Sequence, residues 1–250
     1  MKLLKSAPSL LLALMFALLL SIPASALNDE FPEERETAPV TVCTLDELLT
    51  AIESAESGDT IILQNKIVIV RNCTIGQVGK RITIIPANDF DGDALIEIWT
   101  HQKQSVTLQN IILDGVNRSA LSAIYVYLYD VSDAIGSVCL TNVEVKNFIS
   151  NHSSIYVNRV SAIFNDCQFF DNIGLRTAGI EIAPMAEARI SGCTFTRNIS
   201  AGNGGALRCW GRTQIERTTI MQNQAIDTNS ARLGGGIYID QQAFCEISNC

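Results

Sequence analysis

The strongest constraint on the fold is an eight-residue pattern that recurs along the chain. Its copies are VTLQNIIL (106–113), VCLTNVEV (138–145), AIFNDCQF (162–169), ARISGCTF (188–195) and TQIERTTI (213–220), followed by CEISNC from residue 245. Successive copies begin 32, 24, 26, 25 and 32 residues apart. A repeat of this length predicts a solenoid, because one unit cannot bury its apolar face alone and must stack on its neighbours.

Each copy contains two alternating apolar patterns in opposite phase. Positions one and three are mostly apolar, and apolar or compact residues resume at positions six and eight. The residues that interrupt the pattern at position five are Asn110, Asn142, Asp166, Gly192 and Arg217. Alternation with a period of two is typical of a strand with one buried face, and the change of phase indicates a corner. Each copy is therefore predicted to form two short strands joined by a tight turn.

A third apolar pattern accompanies each repeat: ALIEI (94–98), SAIYV (122–126), SSIYV (153–157), AGIEI (178–182), GALRC (205–209) and GGIYI (235–239). Three short strands per repeat must each pair with the equivalent strand one repeat away. The sequence therefore predicts an all-β, single-stranded parallel β-helix with three sheets, and the crossover rule makes it right-handed. Segments 60–63, 66–70 and 81–85 are predicted to form the first, less regular turn.

A capping helix is predicted at about residues 45–57. Thr44 and Glu47 form a capping-box pattern, and Gly58 marks the end of the helical pattern. The apolar residues that fall on one helical face are Leu45, Leu48, Leu49, Ile52 and Ala55. Such a helix would cover the open edge and the core of the first turn.

The N-terminal segment has the features of a secretory signal. Lys2 and Lys5 precede an apolar run at 10–20, and the small residues 24–26 offer a cleavage site. A membrane-spanning helix is the alternative interpretation, whereas no later segment is apolar for 18 residues. We therefore expect a signal peptide at 1–26, a disordered acidic leader at 27–39 and the β-helix domain at 40–250. The last repeat stops partway, so the C-terminal end is expected to be incomplete. Either the chain is a fragment, which we expect, or another chain covers the last turn.

The charge balance narrows the range of partners. The full chain has a net charge of −8, and loss of the two N-terminal lysines leaves 16 basic and 26 acidic residues, or −10. An excess of negative charge argues against nucleic acid or an anionic membrane surface as the main partner.

The repeat register assigns most of the eight cysteines to the interior, where cysteine acts as a small apolar residue. The cysteines predicted to point inward are Cys167, Cys193, Cys209, Cys245 and Cys250. Cys139 is predicted to point outward as a free thiol. A disulfide is a candidate only between Cys43 and Cys73, which would join the capping region to the first turn.

No metal or cofactor is predicted. The cysteine spacings include no C-x-x-C, and His101 and His152 are far apart in the repeat. Residues 89–93 resemble the start of a calcium loop, but Ala94 replaces the required glycine and Thr100 replaces the bidentate glutamate. We interpret this segment as an acidic turn.

Two sets of stacked side chains are predicted on the repeat. Asn172, Asn198 and Asn223 share the position six residues after the corner, with Asn147 close to it, and are expected to form a structural hydrogen-bonded ladder. The outward positions of the third strands form a candidate binding surface, here called the outward ribbon. Its members are Glu97, Tyr125, Tyr156, Glu181, Arg208 and Tyr238, with Tyr127 and Trp210 two residues further along their strands. Aromatic and charged side chains suit a sugar or a protein partner. The alternative is that tyrosine simply favours strands.

The repeats resemble those of polymorphic outer membrane proteins, which carry F-x-x-N and G-G-A-[ILV] motifs. Phe169-x-x-Asn172 and Phe195-x-x-Asn198 match the first motif, and Gly204-Gly205-Ala206-Leu207 matches the second. The resemblance covers residues 105–250. More broadly, residues 40–250 resemble bacterial right-handed β-helix proteins of the pectin-lyase-like superfamily. The resemblance implies an adhesin-like protein of the bacterial cell envelope, secreted or exposed at the cell surface.

The expected function is that of a non-catalytic binding module for a glycan or a host or cell-surface protein. The alternatives are a carbohydrate-active enzyme, either a polysaccharide lyase or a glycoside hydrolase, and a purely structural module. Glu97 and Glu181 share a stack position three turns apart, or roughly 14 Å at about 4.8 Å per turn. That distance is too long for a glycosidase acid/base pair.

Overall fold

The computed structural model describes residues 38–100, 104–128, 136–226 and 234–250. These residues form an all-β parallel solenoid of about six turns with one short helix near the start. The predicted signal peptide (1–26), nearly all of the predicted leader (27–39) and His101 lie outside the described residues.

The strands form three long sheets and one short sheet, and each strand pairs in parallel with its equivalent in the next turn. Sheet 1 contains β4 (Cys73–Ile75), β7 (Ser105–Gln109), β10 (Ser137–Thr141), β14 (Ser161–Asn165), β18 (Glu187–Ser191), β22 (Arg212–Glu216) and β26 (Phe244–Ser248). Sheet 2 contains β1 (Val40–Val42), β2 (Thr60–Leu63), β5 (Ile82–Pro86), β8 (Ile111–Asp114), β11 (Glu144–Lys146), β15 (Gln168–Phe170), β19 (Thr194–Thr196) and β23 (Thr219–Met221). Sheet 3 contains β3 (Ile67–Ile69), β6 (Ala94–Thr100), β9 (Ser122–Leu128), β13 (Ile155–Asn158), β17 (Ile180–Ile182), β21 (Leu207–Cys209) and β25 (Ile237–Ile239). The short sheet contains β12 (Ile149–Ser150), β16 (Ile173–Gly174), β20 (Ile199–Ser200) and β24 (Gln224–Ala225).

The three predicted sheets and their register are confirmed, with two differences. The short sheet between sheets 2 and 3 was not predicted, because strands of two residues are too short to show an alternating pattern. The first turn was also assigned incorrectly. Segment 81–85 was assigned to the first turn, whereas β5 (Ile82–Pro86) pairs with β2 in sheet 2 and therefore begins the second turn.

Left-handed backbone conformations form the first corner of each turn. The residues there with positive φ are Asn110, Asn142, Asp166, Gly192 and Arg217, with φ between 48° and 65°. These are the residues that interrupt the eight-residue pattern. Asparagine, aspartate and glycine enter this conformation at low cost, which explains their frequency at this position. One residue in this conformation is enough to change which side chains face the core.

The F-x-x-N motif holds the second corner. Phe169 and Phe195 are fully buried, and their rings stack with centroids 4.6 Å apart. The Asn198 side chain accepts hydrogen bonds from the backbone N–H and the side-chain amide of Asn172, and it donates to the Phe169 carbonyl and to Asn223 Oδ1. The predicted asparagine ladder is therefore confirmed.

The left-handed residue at this corner is the one before each ladder asparagine. Asn147, Asp171, Arg197 and Gln222 have φ between 55° and 58°. Asn147 therefore occupies the turn position and not a ladder position. The backbone N–H of Phe148 donates to Asn172 Oδ1 at 3.1 Å, so the ladder begins on a phenylalanine.

The Gly-Gly pair of the second motif is required by close backbone contact. Gly204 has a φ of +76°. A Cβ at Gly205 would lie 2.1 Å from the carbonyl oxygen of Gly235 in the next turn. Any larger residue at Gly205 would push two turns apart, so the motif marks a point of close approach between turns.

Helix α1 (Leu45–Ser54) packs against the start of the solenoid. The Thr44 side chain accepts from the Glu47 N–H, and Glu47 accepts from the Cys43 N–H, which confirms the capping box. Leu48 and Ile52 are buried in the common core, and the helix ends three residues earlier than predicted. Among the described residues, no helix is long and apolar enough to cross a bilayer.

All eight cysteines carry free thiols, so the candidate disulfide between Cys43 and Cys73 is not formed in this structure. Cys73 instead borders a cleft together with Leu49 and Ile52 of α1. The inward positions of Cys167, Cys193, Cys209 and Cys245 are confirmed, since all four belong to the core or pack against it. Cys139 lies on the outer face of sheet 1, between Thr107 and Ile163. Cys167, Cys193 and Cys250 each donate to the carbonyl of the residue two positions before them in the chain. Unlike the other two, Cys250 is exposed.

Replacing a ladder asparagine should destabilise the whole solenoid. Asn198→Ala removes four hydrogen bonds and leaves the buried Asn172 N–H without an acceptor. We expect the free energy of unfolding to fall by about 2–3 kcal/mol in urea titrations. The control is Asn165→Ala on the outer face of sheet 1, which should change it by less than about 0.5 kcal/mol. Equal effects of the two substitutions would contradict the role of the ladder.

Candidate functional site

The strand pairings place the predicted ribbon residues in one column on the outer face of sheet 3. The paired residues run in the order Glu97, Tyr125, Tyr156, Glu181, Arg208 and Tyr238. Tyr127 lies beside the column and pairs with Trp99 and Asn158. Trp210 follows the end of β21, where its backbone N–H donates to the Ile182 carbonyl. The column contains two different chemical environments, an aromatic one and a charged one.

The aromatic part is a compact tyrosine cluster. The ring centroids of Tyr125, Tyr127 and Tyr156 lie 5.8–6.3 Å apart. Most of these pairs meet edge to face, and the His152 ring also meets Tyr125 in this way at 6.1 Å. The sequence predicted a flat ribbon of exposed rings. The rings instead lean on one another, so Tyr125 is buried and the other two tyrosines are half-buried.

Burial sets the chemistry of these tyrosines. It raises the pKa of all three phenols above the ordinary value, and the nearby Glu181 carboxylate raises that of Tyr156 further. Ser122 donates to the Tyr125 hydroxyl at 3.0 Å and also bonds to Ser150 at 2.5 Å. The phenols therefore stay protonated at neutral pH and offer hydrogen-bonding hydroxyls at the edge of an apolar patch.

The charged part is centred on Glu181. Only 4% of this residue is exposed. Its Oε1 lies 3.5 Å from Arg208 Nη1 and 3.8 Å from Arg176 Nη1. Both distances exceed the roughly 2.7–2.9 Å of a charge-assisted hydrogen bond, so the buried carboxylate is only weakly compensated.

Three polar atoms around Glu181 have no hydrogen-bond partner within the described part of the chain. They are Glu181 Oε2, Arg208 Nε and Trp210 Nε1, and all three are buried. The Arg208 guanidinium lies 4.5 Å from the centroid of the Trp210 ring and 3.5 Å from Glu181 Oε1. Arg208 therefore contacts both other side chains. Buried polar groups are nearly always paired, and leaving one unpaired costs about 1–3 kcal/mol. We call Glu181, Arg208 and Trp210 the sheet-3 polar site.

Burial dominates the ionisation of Glu181. It raises the pKa of the carboxyl above the ordinary value, although Arg208, Arg176 and His152 act in the opposite direction. Raised carboxyl pKa values are typical of functional sites. Elsewhere in the column, Glu97 is compensated, since Lys66 Nζ lies 2.9 Å from its Oε2.

Arg176 and His152 belong to this environment but were not predicted. Both precede sheet-3 strands, in the turns that connect the short sheet to sheet 3. The Arg176 backbone N–H donates to the His152 carbonyl at 3.0 Å, which stacks the two turns and brings both side chains to the same face. Their irregular turns lack the strand alternation from which the ribbon was predicted.

The acidic turn at 89–93 uses its polar groups within the protein. Asp89 accepts from Gln64 Nε2 at 2.7 Å, and Asp93 lies 3.2 Å from Lys66 Nζ. Arg118 donates to the backbone carbonyls of Ala87 and Asn88, just before this turn, and of Phe90 within it. Across residues 38–100, 104–128, 136–226 and 234–250, no three His, Cys, Asp or Glu side chains converge as a metal site would require.

The comparisons with known proteins give no relative. No protein-family model matches this chain, and no curated protein matches it significantly. The resemblance to polymorphic outer membrane protein repeats and to pectin-lyase-like proteins therefore rests on the motifs and on the parallel solenoid alone.

Neutralising Glu181 should stabilise the fold at high pH. Because the folded protein binds this proton more tightly than the unfolded chain, stability falls as the pH rises from the ordinary glutamate pKa through the raised folded pKa. We expect Glu181→Gln to melt at a higher temperature than the wild type at pH 8. The difference should shrink as the pH falls toward about 4.3, the ordinary value for glutamate.

Asp171→Asn is the matched control, with the opposite sign. The side-chain hydrogen bonds from Arg197 lower the pKa of Asp171, so its ionisation stabilises the fold above the ordinary pKa of aspartate. This variant should melt at a lower temperature than the wild type at pH 8 and should match it in acid. If both variants melt lower at pH 8, Glu181 is better compensated than its burial implies.

Proposed function

We propose that this protein is an exported, non-catalytic binding module of adhesin-like type, and that the outer face of sheet 3 is its ligand-binding surface. The observation that carries the proposal is that this face combines the tyrosine cluster with the incompletely paired polar site. Binding surfaces are enriched in tyrosine, tryptophan and arginine, and a few such residues supply most of the binding energy.

The other two long faces contain polar side chains that pair with one another. On sheet 2, Glu144 lies 2.8 Å from Arg81 and 3.0 Å from Lys146. On sheet 1, Ser191 donates to Glu216 at 3.0 Å. Surface pairs of this kind are typical of a solvated face.

The enzymatic alternative has weaker support. Glu181 has the raised pKa expected of a general acid. Hydrolysis of a glycosidic bond needs a second carboxyl within about 5–9.5 Å. Glu97, in the same column, is separated from Glu181 by β9 and β13, or roughly 14 Å at about 4.8 Å per turn. The two carboxyls therefore cannot act on one bond.

Truncating the tyrosine cluster should abolish binding. Tyr156 contacts both other rings of the cluster, so Tyr156→Ala should reduce the signal of the purified protein on a glycan array and on cultured cells by about tenfold or more. Phe170→Ala is the control, because Phe170 is a half-buried aromatic residue on the outer face of sheet 2. Equal signals from Tyr156→Ala and the wild type would refute the proposed surface.

The non-catalytic assignment predicts that the purified protein cleaves no polysaccharide. Incubation with pectin-type polymers should release neither unsaturated uronate, followed by ultraviolet absorbance, nor reducing ends. Release that is lost in Glu181→Gln would instead establish the enzymatic alternative.

A further inference from the structure

We infer that the sheet-3 polar site (Glu181, Arg208 and Trp210) is a subsite for two adjacent hydroxyl groups of a neutral saccharide. This inference rests on the proposed function and names the ligand class for the same surface. It follows from the hydrogen-bonding groups that the site leaves unused.

The unused groups comprise one acceptor and two donors. Glu181 Oε2 can accept, whereas Arg208 Nε and Trp210 Nε1 can only donate. A hydroxyl group donates one hydrogen bond and accepts two. Two neighbouring hydroxyls can therefore serve all three atoms, one donating to the carboxylate and both accepting from the N–H groups.

The three side chains are held in place before any ligand arrives. Stacking on the Trp210 ring at 4.5 Å fixes the plane of the Arg208 guanidinium, and Glu181 Oε1 lies 3.5 Å from its Nη1. Glu181 and Arg208 are also fixed in register by the pairing of β17 with β21. Side chains positioned in this way lose little conformational entropy on binding.

The three unpaired atoms are buried, so binding requires a neighbouring side chain to move, and Arg176 is the candidate. Arg176 lies 3.8 Å from Glu181, and 51% of its side chain is exposed. An exposed arginine at this distance contributes little stability and changes rotamer rapidly. Displacement of Arg176 would open the Glu181 side of the site to a hydroxyl group without moving the strands.

The arrangement disfavours other ligands. A carboxylate or sulfate cannot donate to Glu181, and the chain has a net charge of −8, which repels polyanions. A peptide recognised through its backbone needs a free strand edge, whereas β17 pairs on both sides, with β13 and β21. A neutral saccharide has hydroxyl groups that can donate to Glu181, carries no negative charge and needs no free strand edge.

The test uses substitutions that change single polar groups. The wild-type protein is screened on an array of neutral, sialylated and sulfated glycans, and the dissociation constant of the strongest neutral glycan is measured by calorimetry. Trp210→Phe keeps an aromatic ring but removes the indole N–H together with part of the ring surface, so binding should weaken about three- to tenfold. Glu181→Gln removes the charged acceptor and should weaken it at least about tenfold.

The control is Glu187→Gln, which makes the same change as Glu181→Gln at an exposed position on the outer face of sheet 1 and should leave affinity within about twofold. Thermal unfolding followed by circular dichroism confirms that each variant is folded. Binding that is lost in Tyr156→Ala but unchanged in Trp210→Phe and Glu181→Gln would overturn this inference and leave the proposed surface intact. Binding to anionic glycans alone would also overturn it. If no glycan binds, and Tyr156→Ala does not alter binding to cells, both proposals fail.

Discussion

Parallel pairing at a spacing of one turn is the constraint on which the rest of the structure depends. Each strand is too short to be stable alone and gains its hydrogen bonds only from the equivalent strands in adjacent turns. The corners must therefore repeat at the same place, and this explains why one left-handed residue and one ladder asparagine recur at fixed positions. Because the register is fixed, residues at equivalent positions of successive turns lie above one another in a column.

The regular part of this arrangement follows from the sequence because its signals repeat. Six apolar patterns predicted sheet 3 and its outward residues, and F-x-x-N predicted the buried phenylalanines and the ladder. The first turn did not follow, since β2, β3 and β4 precede the regular copies and their spacing differs. The short sheet was missed because Ile149–Ser150 and its equivalents are too short to alternate.

The site was only partly predictable for a related reason. Outward strand positions follow from periodicity, so Glu181 and Arg208 were identified, but the tilt of the tyrosine rings depends on contacts between two adjacent turns. Arg176 and His152 come from turns whose conformation has no period. The polar site is also costly, because a weakly paired buried carboxylate lowers stability. Local structure that lowers stability is expected where a protein binds a ligand.

The most direct test of the account is the indole N–H region of a two-dimensional ¹H–¹⁵N NMR spectrum during titration with a neutral oligosaccharide. The chain has two tryptophans, Trp99 and Trp210, so the region contains two resonances that single substitutions can assign. The account predicts a saturable shift of the Trp210 resonance, because its N–H gains an acceptor. A ligand that shifts backbone amides of sheet 1 or sheet 2 and leaves Trp210 unchanged would contradict the account.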